Sequence, residues 1–431
     1  MITCGMSEIV ITPPLNTSIP GQLQDRKAVG IRDDLYAKVM ILETSETKLC
    51  IIALDCIGFY KEDVSKVRDM IFAKTGIPKE NILVAATHTH TGGAIGDLYQ
   101  SPRDDNYVSY IINRIEKAVD ETLERRQPVQ LGFGVGTVNN ISFYRRFKMK
   151  DGSFTTNAGI NNPNIERPLG EIDSDVVVIR IDDTKGNPIG VVTNFACHLD
   201  TMGADGNTKF SADYPGALST EIKSKLGPNV ISIFLNGACG NINHVDVTGE
   251  MKIAPGHYMK MGRILADEVI KTRKNIEYMR VNDITLNAIN EDITAQTLLP
   301  KEEDIQWAKN LPISEETSAW DMLMSQEYLK LDKQGITSRN IEIQALRIGD
   351  LFIGAFPGEL FVEFGATVKS NSLFKYNMIS TLSNGCEGYI TTKETPQQGG
   401  YEARLTAYTN LAPGTGEMLT EKMLGLMKKI Y

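Results

Sequence analysis

The chain has 431 residues, of which 42% are hydrophobic and 23% charged, and a formal net charge of −9. An acidic chain with dispersed Lys and Arg makes a poor partner for nucleic acid, and no apolar run approaches the ~20 residues that span a bilayer. The six cysteines are scattered without framework spacing and fit free thiols in a reducing compartment.

Met1-Ile2-Thr3-Cys4 opens without a basic segment or a long apolar stretch, so a cytoplasmic location is expected. Apolar runs at 35–42 and 49–54 read as strands, and the 3.6-residue periodicity of 62–74 reads as a helix. A third strand, 82–86, leads directly into Thr87-His88-Thr89-His90. Side chains two apart on a strand share a face, so His88 and His90 can converge on one ion, or one can bind while the other handles protons. A helix is expected at 107–123. Gly132-Phe133-Gly134-Val135-Gly136 resembles a glycine loop, but no helix follows it, which argues against a nucleotide cradle.

Further strands are predicted at 176–181 and 190–196, the latter followed at once by His198. Open α/β sheets place their sites beyond the carboxyl ends of strands, so histidines at two such ends are expected to be neighbours. Imidazoles suit zinc, and a catalytic zinc commonly adds a carboxylate to two histidines. A strand at 230–235 ends in the polar, glycine-rich loop Asn236 to Asn243, in which Cys239 reads as a small buried residue. His257 reads as a surface or helix-start histidine. The segment 300–334, with Trp307 and Trp320, reads as helical cover for the sheet. Strands at 341–348 and 351–355 precede Pro357-Gly358-Glu359, a turn into a helix at 360–369, and the chain closes on a helix at 416–429. Together these elements predict an α/β fold, a mixed sheet core layered with helices, in a single domain covering 1–431.

Several motifs occur in the order seen in one family. Ile11-Thr12-Pro13-Pro14, Thr87-His88-Thr89-His90-Thr91-Gly92, Phe195-Ala196-Cys197-His198, Phe356-Pro357-Gly358-Glu359, Ser383-Asn384 through Gly388-Tyr389-Ile390-Thr391-Thr392 and Tyr401-Glu402 together resemble the neutral/alkaline ceramidases. The resemblance suggests a short, soluble bacterial member without the additional C-terminal immunoglobulin-like domain. It implies the fold of the ceramidase catalytic domain and one zinc held by His88, His198, Glu359 and Tyr389. It also implies that His90 lies beside the metal and that Tyr401 contacts substrate or intermediate.

The family's loop serine corresponds to Asn241, so attack by metal-activated water without a covalent intermediate is expected. Asn241 could hydrogen-bond an oxyanion or orient that water. His244 and Asp213 match active-site loop positions and could move protons, although Asp213 also suits a helix cap. Arg145, in Tyr144-Arg145-Arg146, could hold a carboxylate, an oxyanion or a polyhydroxyl substrate. The expected function is zinc-dependent hydrolysis of an amide, ester, lactone or cyclic ketone in a small polar molecule. The alternatives are ceramidase activity itself and a non-catalytic metal-stabilised binding protein.

Overall fold

A computed structural model describes residues 2–280, 283–312, 314 and 316–431. Its principal sheet has eight strands: β1 (Thr3–Val10), β2 (Tyr36–Glu43), β3 (Lys48–Leu54), β4 (Ile82–Ala86), β5 (Gln127–Thr137), β6 (Asp175–Asp183), β7 (Pro188–Phe195) and β8 (Ile231–Asn236). They lie in the order β8-β7-β6-β5-β1-β2-β3-β4. The pairs at the two ends, β7 with β8 and β3 with β4, are parallel, and the others are antiparallel. A second sheet orders β9 (Leu286–Gln296), β10 (Ser338–Ile348), β11 (Leu351–Ala355) and β13 (Tyr376–Ser380). Between β11 and β13 in sequence lies β12 (Glu359–Leu360), which pairs in parallel with β14 (Tyr389–Ile390).

Strand alternation explains the layers. Val39, Ile41, Cys50, Ile52 and Val84 pack against α1 (Lys61–Thr75) and α2 (Asp105–Glu124), whereas Met40, Leu42, Leu49, Ile51 and Leu83 face the second sheet through Leu346, Ile348, Leu351 and Ile353. Strands buried on both faces need continuous apolar sequence, which is why 49–54 and 82–86 read so plainly. The other half of the large sheet is covered by α3 (Asp213–Leu226) and α4 (His257–Lys274). Helices α7 (Val362–Ser370) and α8 (Thr415–Ile430) cover the outer face of the small sheet. The helical segment expected near 300–334 contains α5 (Glu302–Asn310) and α6 (Ala319–Gln334). No described helix is long and apolar enough to cross a membrane.

The glycine-rich stretch 132–136 is the middle of β5. A Cβ on Gly132 would lie 2.2 Å from the Glu277 carbonyl oxygen, and one on Gly136 would lie 2.3 Å from Thr272 Oγ1. The alternating glycines therefore let the end of α4 and the chain after it lie directly on the strand.

The two edges of the large sheet are brought together by 381–384. Thr381 N donates to Asn236 O of β8 (2.9 Å), Ala86 N of β4 donates to Leu382 O (3.0 Å), and Asn384 N donates to Val84 O (2.7 Å). The Asn384 side chain also accepts from Val84 N (3.0 Å). This seam places the exits of β4 and β8 side by side, although six strands separate them within the sheet.

Candidate metal centre

His88 and His90 follow β4, His198 follows β7 and Glu359 begins β12. The strand ends at Ala86, and His88 has a left-handed backbone, φ 78°. The two histidines therefore converge through a turn rather than through the alternation of a strand. A non-glycine residue in this region carries strain that the surrounding structure must hold. Part of that hold is visible: His88 N donates to Cys56 O (2.9 Å), and Nδ1 of its ring lies 2.6 Å from Ile57 O.

His90 Nδ1 lies 2.8 Å from Gly21 O. With both Nδ1–H groups donated to carbonyls, the Nε2 lone pairs of His88 and His90 face inward, 3.3 Å apart. His198 Nε2 is 3.0 Å from His90 Nε2. Glu359 Oε2 lies 3.4 Å from His88 Nε2 and 3.7 Å from His198 Nδ1. Of these, the Glu359–His88 separation matches the ~3.3–3.4 Å edge of a tetrahedron built on metal bonds of about 2.0–2.1 Å, and the Glu359–His198 separation is somewhat longer. Among the described residues, neither Glu359 Oε2 nor His198 Nδ1, both buried, has a well-aligned hydrogen-bond partner. Two orphaned acceptors facing each other across neutral imidazoles are donors suited to a cation.

The electrostatics suit the same role. Burial, reinforced by His88, depresses His90 to about 3, and burial also holds His198 well below the usual imidazole range. Both rings are therefore neutral. Burial pushes Glu359 up, but His88, Arg145 and the Tyr408 hydroxyl more than offset it, so the group stays an anion below the usual range.

Glu359 and Tyr389 are register partners in the β12–β14 pair. Arg145 Nη2 donates to the Tyr389 hydroxyl (3.1 Å) and to Gly240 O (2.7 Å), while its Nε donates to the fully buried Glu402 (2.8 Å). Tyr401 sits at the rim, its ring edge-on to Tyr389 at 5.8 Å and its hydroxyl 2.9 Å from that of Tyr99. These side chains gather around Glu359.

Three other expected site residues make contacts of their own. The Asn241 amide donates to the Tyr144 hydroxyl (3.0 Å) and Glu363 (2.7 Å), and its Oδ1 accepts from Val362 N (2.9 Å). Both amide protons and one acceptance by Oδ1 tie the loop to Tyr144 and to the start of α7. Asp213 is the first residue of α3 and braces the chain after His198, accepting from Thr201 N (3.0 Å) and the Thr201 hydroxyl. Burial raises it to about 7. His244 packs on His257 with ring centroids 5.2 Å apart, and burial depresses it to about 4. His257 begins α4 as expected, but it is 3% exposed rather than on the surface, because α4 packs its first turn inward. Cys239 is fully buried, and burial pushes its thiol up to about 12.

Sequence reading missed several supports. Tyr408 donates to Glu359 Oε1 (2.8 Å), and Gln22 donates to Asp200 (3.2 Å), two residues beyond His198. Neither has a local signature. Glu402 did have one, since two adjacent buried arginines require a carboxylate nearby.

The family model described as neutral/alkaline non-lysosomal ceramidase, N-terminal, matches residues 11–252, more than half of the chain. The chain belongs to this ceramidase family. Neutral ceramidase A of Dictyostelium discoideum is 25% identical over 218 residues, covering 48% of this chain and 29% of that protein. The neutral ceramidase of Pseudomonas aeruginosa is 24% identical over 233 residues, covering 51% and 33%. The matched segments thus span about a third of these ceramidases. The crystal structure of the Pseudomonas aeruginosa neutral ceramidase superposes with a TM-score of 0.77 at 18% identity, over 99% of this chain and 75% of that one. A ceramidase complexed with C2 gives 0.75 at 17% identity, covering 98% and 74%. The ceramidase fold therefore extends across the whole chain, beyond the matched N-terminal part.

Proposed function

We propose that this ceramidase-family protein is a zinc-dependent hydrolase that uses activated water on the carbonyl of a small polar amide, ester, lactone or cyclic ketone. The observation that carries the reading is the facing pair of orphaned buried donors, Glu359 Oε2 and His198 Nδ1, beside the inward Nε2 of His88. His88, His198 and Glu359 would hold the ion, with Tyr389 as the fourth, displaceable ligand. When bound, zinc would polarise the carbonyl and bring the acidity of water toward neutrality.

The chain's own groups supply the rest. His90, neutral and anchored through Nδ1 to Gly21 O, holds Nε2 3.0 Å from His198 Nε2 beside the reacting centre, where it would relay a proton. Arg145 is placed to stabilise negative charge developing near Tyr389. Tyr401 closes the rim against substrate. A covalent acyl-enzyme has little support, because burial keeps Cys239 a protonated thiol and an amide such as that of Asn241 is a poor nucleophile.

Ceramidase activity is the second reading, favoured by the family match over residues 11–252. Metal analysis combined with a substrate panel of acyl sugars, lactones, cyclic ketones and a ceramide tests both. Wild-type protein should carry one zinc per chain and turn over a polar member of the panel, while His198→Ala should lose metal and activity together. Full zinc occupancy in that variant would remove the assignment. Turnover of ceramide alone would select the second reading, and metal without turnover of any compound would leave a binding protein.

A further inference from the structure

The loop that carries Gly21, the anchor of His90, also forms one wall of a groove of about 430 Å³ whose other wall is α6. Its lining divides by chemistry. Trp320 and Leu323 of α6 supply apolar surface, and Gln22, Gln24, Gln100 and Asn207 supply neutral amides. Arg26 is the charged residue of the lining, and its guanidinium is already engaged with the carbonyls of Asn207 (2.7 Å), Pro20 (2.9 Å) and His90 (2.8 Å). Arg404 lies over the Trp320 ring at 4.9 Å and holds the indole in place.

We infer that this groove is a specificity subsite for a neutral polyhydroxylated group, of the sugar or cyclitol class, carried by the substrate. The inference rests on the metal-centre reading above and names the substrate class that the centre serves. A polyol ring has an apolar C–H face and a rim of hydroxyls that both donate and accept, which is the complement of an indole facing a set of amides. An aliphatic chain would strand those amides, and a phosphate or carboxylate would find in the lining only Arg26, whose Nη groups are taken by carbonyls and whose Nε is buried. The groove is of ligand-pocket size. Its position also fits, since Gln22 donates to Asp200 two residues beyond His198 and Arg26 holds the carbonyl of His90. The subsite and the metal centre thus share one scaffold.

Trp307 and Trp320 are the chain's two tryptophans. In Trp307→Phe protein the indole fluorescence therefore reports on Trp320 alone. Titration with myo-inositol and with N-acetylglucosamine should give a saturable change with at least one of them, and hexanamide at equal concentration should give none. Gln100→Ala, at an exposed position where folding is not at stake, should weaken that binding about tenfold, the scale of one lost hydrogen bond. His198→Ala should bind the same polyol with an unchanged midpoint, which separates failure of the subsite from failure of the metal reading. Absence of a saturable change with both polyols, an equal response to hexanamide, or an unchanged midpoint in Gln100→Ala would overturn the inference.

Discussion

His90 shows how much a single ring orientation can decide. Its Nδ1 is committed to Gly21 O, and its Nε2 lies within 3.3 Å of both other imidazoles. With the ion held by His88, His198 and Glu359, His90→Ala should retain most of the metal and lose on the order of 10²-fold in turnover. Loss of metal in parallel with turnover, read by elemental analysis, would instead make His90 a ligand. Asp213 gives a second prediction at this scale. Burial raises its folded value to about 7 from an ordinary 3.8, so the folded state keeps a proton that the unfolded chain releases. Its contribution to stability is present below about 3.8 and is lost as pH rises toward 7. Relative to wild type, Asp213→Asn should therefore gain thermal stability progressively between these values. His90 and His244, both depressed, act in the opposite direction in each protein and cancel from the comparison. A constant difference in Tm across pH 4 to 7 would contradict the assignment.

At the scale of elements, close backbone approach positions Glu359. Gly240 N donates to Leu360 O (2.9 Å), and a Cβ at Gly240 would stand 2.3 Å from the Glu359 carbonyl oxygen. Gly240→Ala must push β12 away from the 236–243 loop, so metal affinity should fall at least tenfold with only a modest change in the unfolding midpoint. Gly425 in α8 has open space around its would-be Cβ, and Gly425→Ala should stabilise the protein by about 1 kcal/mol without affecting metal. Isothermal titration with zinc and urea unfolding of both variants check the pair. Equal metal affinity in the two would show that the approach at Gly240 does not position the carboxylate.

For the whole molecule, the proposed ligands come from turns after β4 and β7 of the large sheet and from the β12–β14 pair, whose strands follow β11 and β13 of the small sheet. An ion held there would tie the two sheets together, and its binding free energy would become folding free energy. Stripping the metal with a chelator should lower Tm by several degrees, and restoring zinc should recover it. The same treatment should leave His198→Ala unmoved. A chelator effect of equal size in that variant would place the stabilising ion elsewhere.

The sequence by itself determined the layered elements and the family. Strands 82–86 and 351–355 were readable to the residue because burial on both faces demands unbroken apolar runs, and the ordered motifs are local strings that survive without coordinates. It also marked His88 and His198 by the strands before them, whereas the choice of Glu359 among the carboxylates rested on the family resemblance alone. Tertiary structure alone decided how these residues meet. The eight-stranded order places β4 and β7 far apart, and only the 381–384 seam and the left-handed turn at His88 bring their exits together. It likewise gave Asn241 and Asp213 bracing contacts, and it recruited Tyr408, Gln22 and Trp320 from distant segments. Periodicity reports which face of an element is buried, whereas the partner a polar group finds depends on chain closure over hundreds of residues, which leaves no local trace.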